Sequence, residues 1–419
     1  MVLVGLPGSV SAQPEGLDEL PAARAYLEEI EAGIERLREQ MPAVTEAADL
    51  VAEVLVERAL SLGVMGSEGL AAELSRSAGS LALVSGEPGR TGEPVLYVFG
   101  VRPISDLDKA AFLRGQIEEA RGLKGSGVLI GLGSHRRFER HGLLEEARGV
   151  VDVLLDSGED PEAEVGAPTQ TVMHTLAAWA FQAELFSACV RRERIPVIRV
   201  AEEVDRVRRR SVRYAGQRFV HDRWLDPIPG GVLGEAYLDA AGELLRDIGT
   251  ASWPSVSAAA RRGGRVMADG GSVYVMPGGA QPVWHLGGRL AGDPGVLRPL
   301  HHRGRPVRAG RGDMVVAVGT HLPPGDPWWG EAGRYRSAGQ GVVWVYARLG
   351  LANRRGRADL VIDTWVPFGE AILKIEGHET RLGAGSGLAG EVVAWLLTAQ
   401  IPAEVEFLSR RRVPDGEDD

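Results

Sequence analysis

Cysteine, lysine and long apolar runs are scarce in this sequence. Cys189 is the only cysteine among 419 residues, which excludes an intramolecular disulfide framework and a cysteine-based zinc cluster. No apolar run approaches the roughly 20 residues of a membrane-spanning helix. The short apolar segment at the N-terminus lacks the basic residues that precede the apolar core of a signal peptide. A cytoplasmic location and no membrane partner are therefore expected.

Composition and charge narrow the class of protein further. Hydrophobic residues make up 44% and charged residues 25% of the chain, as in a soluble globular protein of two or three domains. The formal net charge of -10 argues against a general nucleic-acid binder. Lysine is nearly absent whereas arginine is abundant, which indicates a genomic bias rather than a function.

The stretch Gly63–Gly69 lies between a short apolar run and a helical pattern that begins at Leu70. A strand that turns on glycines into a helix start presents free backbone N–H groups at the positive end of the helix dipole, and Ser67 adds a hydroxyl. That combination binds anions, most often phosphate. The alternative is an ordinary strand-to-helix turn in which Ser67 caps the helix.

Short apolar segments alternate with helical patterns through the first half of the chain. Wholly apolar strands of this kind predict a parallel sheet buried on both faces, in a doubly wound α/β unit. The predicted strands are 95–100, 127–131 and 150–155, with short apolar segments at 81–84 and 195–198. The predicted helices are 22–60 (divided at Pro42), 110–121 and 171–191.

The pattern restarts near residue 221. The matching features are Tyr26 and Tyr237, Pro42 and Pro254, and the runs Asp152–Asp156 and Asp359–Asp363. Because they recur in the same order, they indicate a tandem duplication. The predicted fold class is α/β, with a first domain over residues 1–220 and a second over 221–419, each with a helical N-terminal preface.

The order of elements resembles that of the sugar isomerase (SIS) family. In that family two helices precede a strand, a Gly/Ser turn, a helix and a second strand, as here around Ser67, Gly79-Ser80 and Val95. The run Ala358–Ala371 closely resembles a segment of SIS-domain proteins related to N-acetylmuramic acid 6-phosphate etherases, and Leu70–Leu74 is similar to their first helix.

This resemblance covers about residues 22–200 and 235–405. It implies two tandem three-layer αβα domains, each with a central parallel sheet, that bind phosphosugars. The paired domains of phosphosugar aldose–ketose isomerases and deglycases have this arrangement.

Both copies depart from the family's phosphate-binding loops. In the first turn Ser67 keeps the family's serine, but Met65 replaces a glycine, and the second copy has Ala280 in place of the serine. The family's second loop reads Ser-x-Ser-Gly. The first copy has no hydroxyl in Val98–Val101, and the second copy keeps only Thr320. One composite site, or none, is therefore expected rather than two equal sites.

Three residues are candidate catalysts, because sugar isomerisation needs a group that moves a proton between adjacent carbons. Glu68 follows Ser67 at the helix start, although a surface glutamate in a first helical turn is an equal alternative. His301 lies in a Pro/Arg-rich connection. His321 follows a predicted strand, at the edge where open α/β sheets bind ligands. No metal is expected, because no His-x-x-x-His pair or cysteine cluster accompanies the adjacent His301 and His302. The isomerase or lyase hypothesis needs no cofactor.

Ten residues are candidate ligand contacts, since they follow predicted strands or begin helices. Glycine N–H groups, hydroxyls and an arginine suit a phosphate. For His135 and Arg136 the alternative is a solvated loop, and for Thr169 and Thr171 it is helix capping. The ten are Gly66, Ser67, Gly100, His135, Arg136, Thr169, Thr171, Gly279, Thr320 and Ser386.

Two functions remain open. The first is a phosphosugar isomerase, or a related lyase or deglycase, acting on a small sugar phosphate. The second is a non-catalytic phosphosugar sensor or scaffold with degenerate sites. A homodimer through the 171–191 helix is a further hypothesis, and His174 and Glu184 on that helix are expected to be packed or dimer-facing.

Overall fold

The structure is a computed structural model of the chain. It describes residues 20–86, 92–100, 109–125, 127–163, 165, 167–200, 213–277, 296–302, 305–306, 309–319, 327–346, 358–367 and 369–412.

The described elements of the first half alternate as the sequence predicts. Its helices are α1 (Pro21–Glu39), α2 (Met41–Arg58), α3 (Glu68–Arg76), α4 (Lys109–Leu123), α5 (His135–Arg140), α6 (Leu144–Val150) and α7 (Gln170–Arg191). Its strands are β1 (Leu62–Met65), β2 (Val84–Ser85), β3 (Val95–Val98), β4 (Leu129–Gly133), β5 (Val153–Asp156), β6 (Ile195–Pro196) and β7 (Phe219–Val220).

The second half repeats this order. Its described helices are α8 (Val232–Thr250), α9 (Trp253–Ala268), α10 (Pro327–Ser337) and α11 (Ser386–Arg412). Its described strands are β8 (Val273–Pro277), β9 (Leu297–Pro299), β10 (His301–His302), β11 (Arg305–Pro306), β12 (Met314–Val318), β13 (Gly341–Tyr346), β14 (Leu360–Asp363), β15 (Ala371–Leu373) and β16 (Leu382–Ala384).

Each half contains a five-stranded parallel sheet. The strand order is β2-β1-β3-β4-β5 in the first and β9-β8-β12-β13-β14 in the second, so the two sheets match strand for strand. Along β3, Leu96 and Val98 pack into a core shared by both halves, whereas Val95 and Tyr97 pack on the opposite face with α4. Helices therefore cover both faces of the sheet, and the predicted α/β fold class is confirmed.

Strand β1 is shifted from its expected place. Gly63, Val64 and Met65 pair with β3 and lie inside the strand, so the turn itself contains only Gly66-Ser67. Glycine has weak strand propensity, and the strand forms here because its neighbours on both sides complete the ladder.

The two halves exchange one helix each. Helix α2 packs mainly on α7 and α9 mainly on α11, within their own halves, but α1 packs mainly on α11 and α8 mainly on α7. Their buried tyrosines are placed alike: the Tyr26 hydroxyl donates to the Pro168 carbonyl at 3.3 Å and that of Tyr237 to the Ala384 carbonyl at 3.5 Å. The division into domains at residue 220 stays a prediction.

One side chain from each half caps the start of the helix that the other half contributes. Glu184 of α7 accepts backbone hydrogen bonds from Gly231 at 2.8 Å and Gly234 at 2.7 Å, at the start of α8. Gln400 of α11 accepts one from Ala23 at 3.3 Å, at the start of α1. Each long helix thus supplies acceptors to the first turn of the other half's leading helix, where N–H groups have no acceptor inside the helix.

Helix α7 is buried from Gln170 to Val190 within the chain. It therefore leaves no exposed surface over residues 171–190 through which two copies of the chain could form the hypothesised dimer. Helix α11 is, by length and composition alone, apolar enough over Ser386–Arg411 to cross a membrane, although 56% of its most apolar stretch is buried inside the structure. The helix contains Glu391, Glu404 and Glu406, so it is not an unbroken apolar run.

Candidate functional site

The carboxyl ends of β1, β3, β4 and β5 lie side by side at one edge of the first sheet. Ligands of open α/β sheets bind beyond this edge. The chain continues there through Gly66, Phe99, Ser134 and Ser157, and helices α3, α5 and α7 begin there. Seven of the predicted ligand residues lie at this edge as a result.

The turn after β1 requires a glycine. Gly66 has φ of +84°, and a Cβ at this position would lie 2.1 Å from the Val98 carbonyl oxygen, so the turn packs directly on the neighbouring strand. Ser67 is buried and caps α3, accepting a hydrogen bond from the Leu70 N–H at 3.3 Å. The N–H groups of Glu68 and Gly69, at the first two helical positions, have no acceptor inside the helix.

Two glutamines hold the loop after β3. The Gly100 N–H donates to Gln116 Oε1 at 2.7 Å, and the Gly100 carbonyl accepts from Gln170 Nε2 at 2.5 Å. Both backbone groups of Gly100 are therefore used inside the protein. The sequence missed the two glutamines, although a polar residue in the first turn of an otherwise apolar helix is a signal for Gln170.

Carboxylates pair with the polar and charged groups of the segment after β4. Ser134 caps α5, and the His135 N–H donates to Asp156 Oδ1 at 3.1 Å. The His135 ring has Nδ1 3.8 Å from Asp156 Oδ2 and Nε2 3.3 Å from the Leu154 carbonyl. Arg136, predicted to bind phosphate, forms an ion pair with Asp160.

The start of α7 lacks the expected cap. Thr169 is buried but makes no capping hydrogen bond through its side chain. Thr171 is 3% exposed, and its hydroxyl oxygen has no hydrogen-bond partner among the described residues. A buried hydroxyl without a partner is unusual, and this one is available to form a hydrogen bond with a ligand or a water molecule.

The candidates of the second half are only partly visible. Gly279, Thr320 and His321 lie outside the described residues, as do the side chains of Glu68 and His301. His301 lies in β10, which pairs with β11, and not in the irregular connection that was expected. Ser386 is buried at the first residue of α11. Among the described residues, no group of three His, Cys, Asp or Glu side chains could hold a metal ion.

The chain matches no protein-family model and no curated protein. The solved structures that it resembles include a protein from Salmonella typhimurium LT2 provisionally described as sugar-binding, with 11% identity, TM-score 0.44, and coverage of 91% of this chain and 99% of that one. Another, from Silicibacter pomeroyi DSS-3, is provisionally described as a phosphosugar isomerase, with 13% identity, TM-score 0.47, and coverage of 92% and 98%.

A third similar structure is the C-terminal domain of glucosamine-fructose-6-phosphate aminotransferase from Francisella tularensis, with 8% identity, TM-score 0.44, and coverage of 90% and 96%. These TM-scores lie below 0.5, so the matches carry no argument about the site or the activity of this chain. The two parallel sheets have the same strand order and carry helices on their faces, which is the architecture that the SIS resemblance implies.

Proposed function

We propose that this chain binds a phosphorylated sugar at the carboxyl edge of its first sheet, with the phosphate at the start of α3. The observation that supports this most is the Gly66-Ser67 turn. It packs on β3 and leads into a capped helix whose first two N–H groups point out of the helix at its positive end. An anion is the natural ligand of such a helix start.

The neighbouring groups suit the sugar part of the ligand. The start of α7 is uncapped, and Thr171 offers a buried hydroxyl at the same edge. Hydroxyl and amide groups of this kind recognise sugar hydroxyls through hydrogen bonds. The pairing of Arg136 with Asp160 argues that α3, and not this arginine, carries the phosphate.

We propose binding, rather than turnover, as the function. An isomerase needs a base within hydrogen-bond reach of the sugar carbons. His135 is the described histidine beside these strand ends, and both of its ring nitrogens lie near acceptors of the protein itself. The isomerase hypothesis rests on Glu68, His301 and His321, whose side chains lie outside the described residues.

A matched pair of variants tests the phosphate position. Glu68→Pro removes one N–H at the first helical position, where proline is well tolerated, and Ser67 before it is already extended, as proline requires. Glu68→Ala removes only the side chain. Isothermal titration with glucosamine 6-phosphate should show binding to Glu68→Ala, and binding to Glu68→Pro weakened by about 10-fold or more, the loss of one hydrogen bond to a charged group.

Unphosphorylated glucosamine is the ligand control and should bind neither variant. The proposal fails if neither glucosamine 6-phosphate nor fructose 6-phosphate binds, or if the two variants bind equally. NMR can follow the conversion of fructose 6-phosphate by the native protein. If conversion occurs, and Glu68→Gln loses it but still binds the ligand, the protein is an isomerase and not only a binding protein.

A further inference from the structure

The carboxyl group of Glu73, on α3, is buried where the two halves meet. Its side chain is 1% exposed. Oε2 accepts a hydrogen bond from the Ser77 hydroxyl at 2.6 Å, whereas Oε1 has no hydrogen-bond partner among the described residues. A charged carboxylate in this position would lack much of the solvation that it has in water, which favours the neutral acid.

The turn after α3 contacts the second half directly. The Gly383 N–H of β16 donates to the Gly79 carbonyl at 3.1 Å. Gly79 has φ of +89°, and a Cβ there would lie 2.8 Å from the Cβ of Ala371 in β15. The β15–β16 hairpin of the second half therefore lies against the end of a first-half helix with no side chain between the two backbones.

Aromatic rings from both halves continue this contact. A Cβ on Gly383 would lie 2.6 Å from the ring of Tyr237, on α8. That ring packs beside Trp179 of α7, with centroids 6.4 Å apart, and Trp179 in turn faces Glu73. The seam that consists of Glu73, Gly79, Trp179, Tyr237 and Gly383 thus connects both halves.

The strongest charges that act on Glu73 are negative. Burial raises the pKa of Glu73 to about 8, and the carboxylates of Glu370 and Glu391 raise it as well, whereas the hydrogen bond from Ser77 and the nearby indole of Trp179 lower it. Burial and the charge of Glu73 hold the pKa of Tyr237 well above its usual value, so this phenol stays neutral. The seam therefore receives three acidic side chains, from α3, from the loop before β15 and from α11.

We propose that Glu73 is a proton-operated joint between the two halves: as a neutral acid it allows α3, the β15–β16 hairpin and α11 to pack together, and its deprotonation loosens that packing. A charged Glu73 would be repelled by Glu391, which is fully buried, and by Glu370, which is partly exposed. Like charges in such a place repel strongly.

The direction of the pH effect follows from linkage. The folded state keeps the proton up to a pH of about 8, because the pKa of Glu73 is raised there, whereas the unfolded chain releases it near its ordinary value of 4.5. Between these values the folded state binds more protons, so stability falls as the pH rises. One proton corresponds to about a tenfold increase in the unfolding constant per pH unit.

Urea unfolding of the full chain at about pH 6 and about pH 9 tests the joint. We expect the unfolding constant of the native protein to rise by about 100-fold more over this interval than that of Glu73→Gln, which has no proton to lose. Equal pH dependence of the two proteins would overturn the proposal. Glu118→Gln, at an exposed carboxyl of α4, serves as the control and should keep the native pH dependence.

Two measurements keep the test decisive if Glu73→Gln does not fold. Infrared spectroscopy of the native protein should show a protonated carboxylic acid at neutral pH that disappears as the pH rises past about 8. Glu391→Gln removes one of the repelling charges, so it should reduce the loss of stability between the two pH values. Absence of the infrared band, or an undiminished loss in Glu391→Gln, would overturn the proposal.

Discussion

Replacing Glu184 by alanine tests whether the two halves stabilise each other through the crossed helix caps. The carboxylate is fully buried and accepts the N–H groups of Gly231 and Gly234 at 2.8 and 2.7 Å. Leaving a buried N–H without an acceptor costs about 1–3 kcal/mol, and a lost cap about 1 kcal/mol. Because the Gly234 bond is buried and the Gly231 bond partly so, we expect the free energy of unfolding to fall by about 3 kcal/mol.

The matched control is Gln400→Ala in the other half. Gln400 caps α1 through one hydrogen bond, from Ala23 at 3.3 Å, and its Nε2 also donates to Glu404 at 3.2 Å within α11. Because only the first bond is a cap, its loss should lower the free energy of unfolding by only about 1 kcal/mol. Glu184→Gln, which keeps an acceptor oxygen, should lie between the two.

Urea unfolding followed by far-UV circular dichroism and by tryptophan fluorescence measures these differences. Coincidence of the two signals shows that a single transition is being compared. A loss below about 1 kcal/mol in Glu184→Ala would refute the reasoning. Equal losses in Glu184→Ala and Gln400→Ala would refute it too, since the structure gives the two caps different numbers of bonds.

Two backbone positions give further predictions. Gly66→Ala should lower the free energy of unfolding by about 2 kcal/mol or more, because its Cβ would meet the Val98 carbonyl at φ of +84°. The control Gly115→Ala, inside α4 with open space around it, should instead stabilise the protein by about 1 kcal/mol. Thermal denaturation measures both variants. Ala59→Gly should stabilise by about 1 kcal/mol, since Ala59 ends α2 with φ of +52°, whereas Ala251→Gly, at the end of α8 with φ of -70°, should bring no gain. Reversed signs in either pair would contradict the steric argument.

The fold was predictable because buried parallel strands leave a strong local signal. Each strand is a short apolar run, and the order of runs and helices determines the topology. The predicted match of the two halves extends to single hydrogen bonds. Asp152 accepts the Leu129 N–H at 2.8 Å, and Asp359 accepts the Val342 N–H at 3.0 Å, at the same place in the two sheets.

The crossed helices were not predictable in the same way. Helix amphipathicity shows which face is buried but not which partner buries it. Glu184 was therefore expected only to be packed or dimer-facing, whereas it caps a helix start 47 residues later in the chain. The amphipathic patterns of α1 and α8 fit either half equally well.

The candidate site was predictable in position but not in its internal contacts. Strand ends and helix starts located Gly66, Ser67 and Thr171 at one edge of the sheet. The glutamine that holds Gly100 is 70 residues away from it, and such contacts leave no periodic signal in the sequence. The carboxylates that pair with the arginines after β4 were missed for the same reason.

The exchange of α1 and α8 also affects how the two copies can diverge. Helices α1 and α8 each pack on the other half, so their sequences are constrained by that half. Deleting or unfolding one half would therefore remove part of the hydrophobic core of the other. The loops at the sheet edges carry no such mutual constraint. One half is therefore free to change the loops at its sheet edge and persist as scaffold for the other, which is consistent with two sheets of identical strand order. In the sequence, Ser67 of the first half aligns with Ala280 of the second.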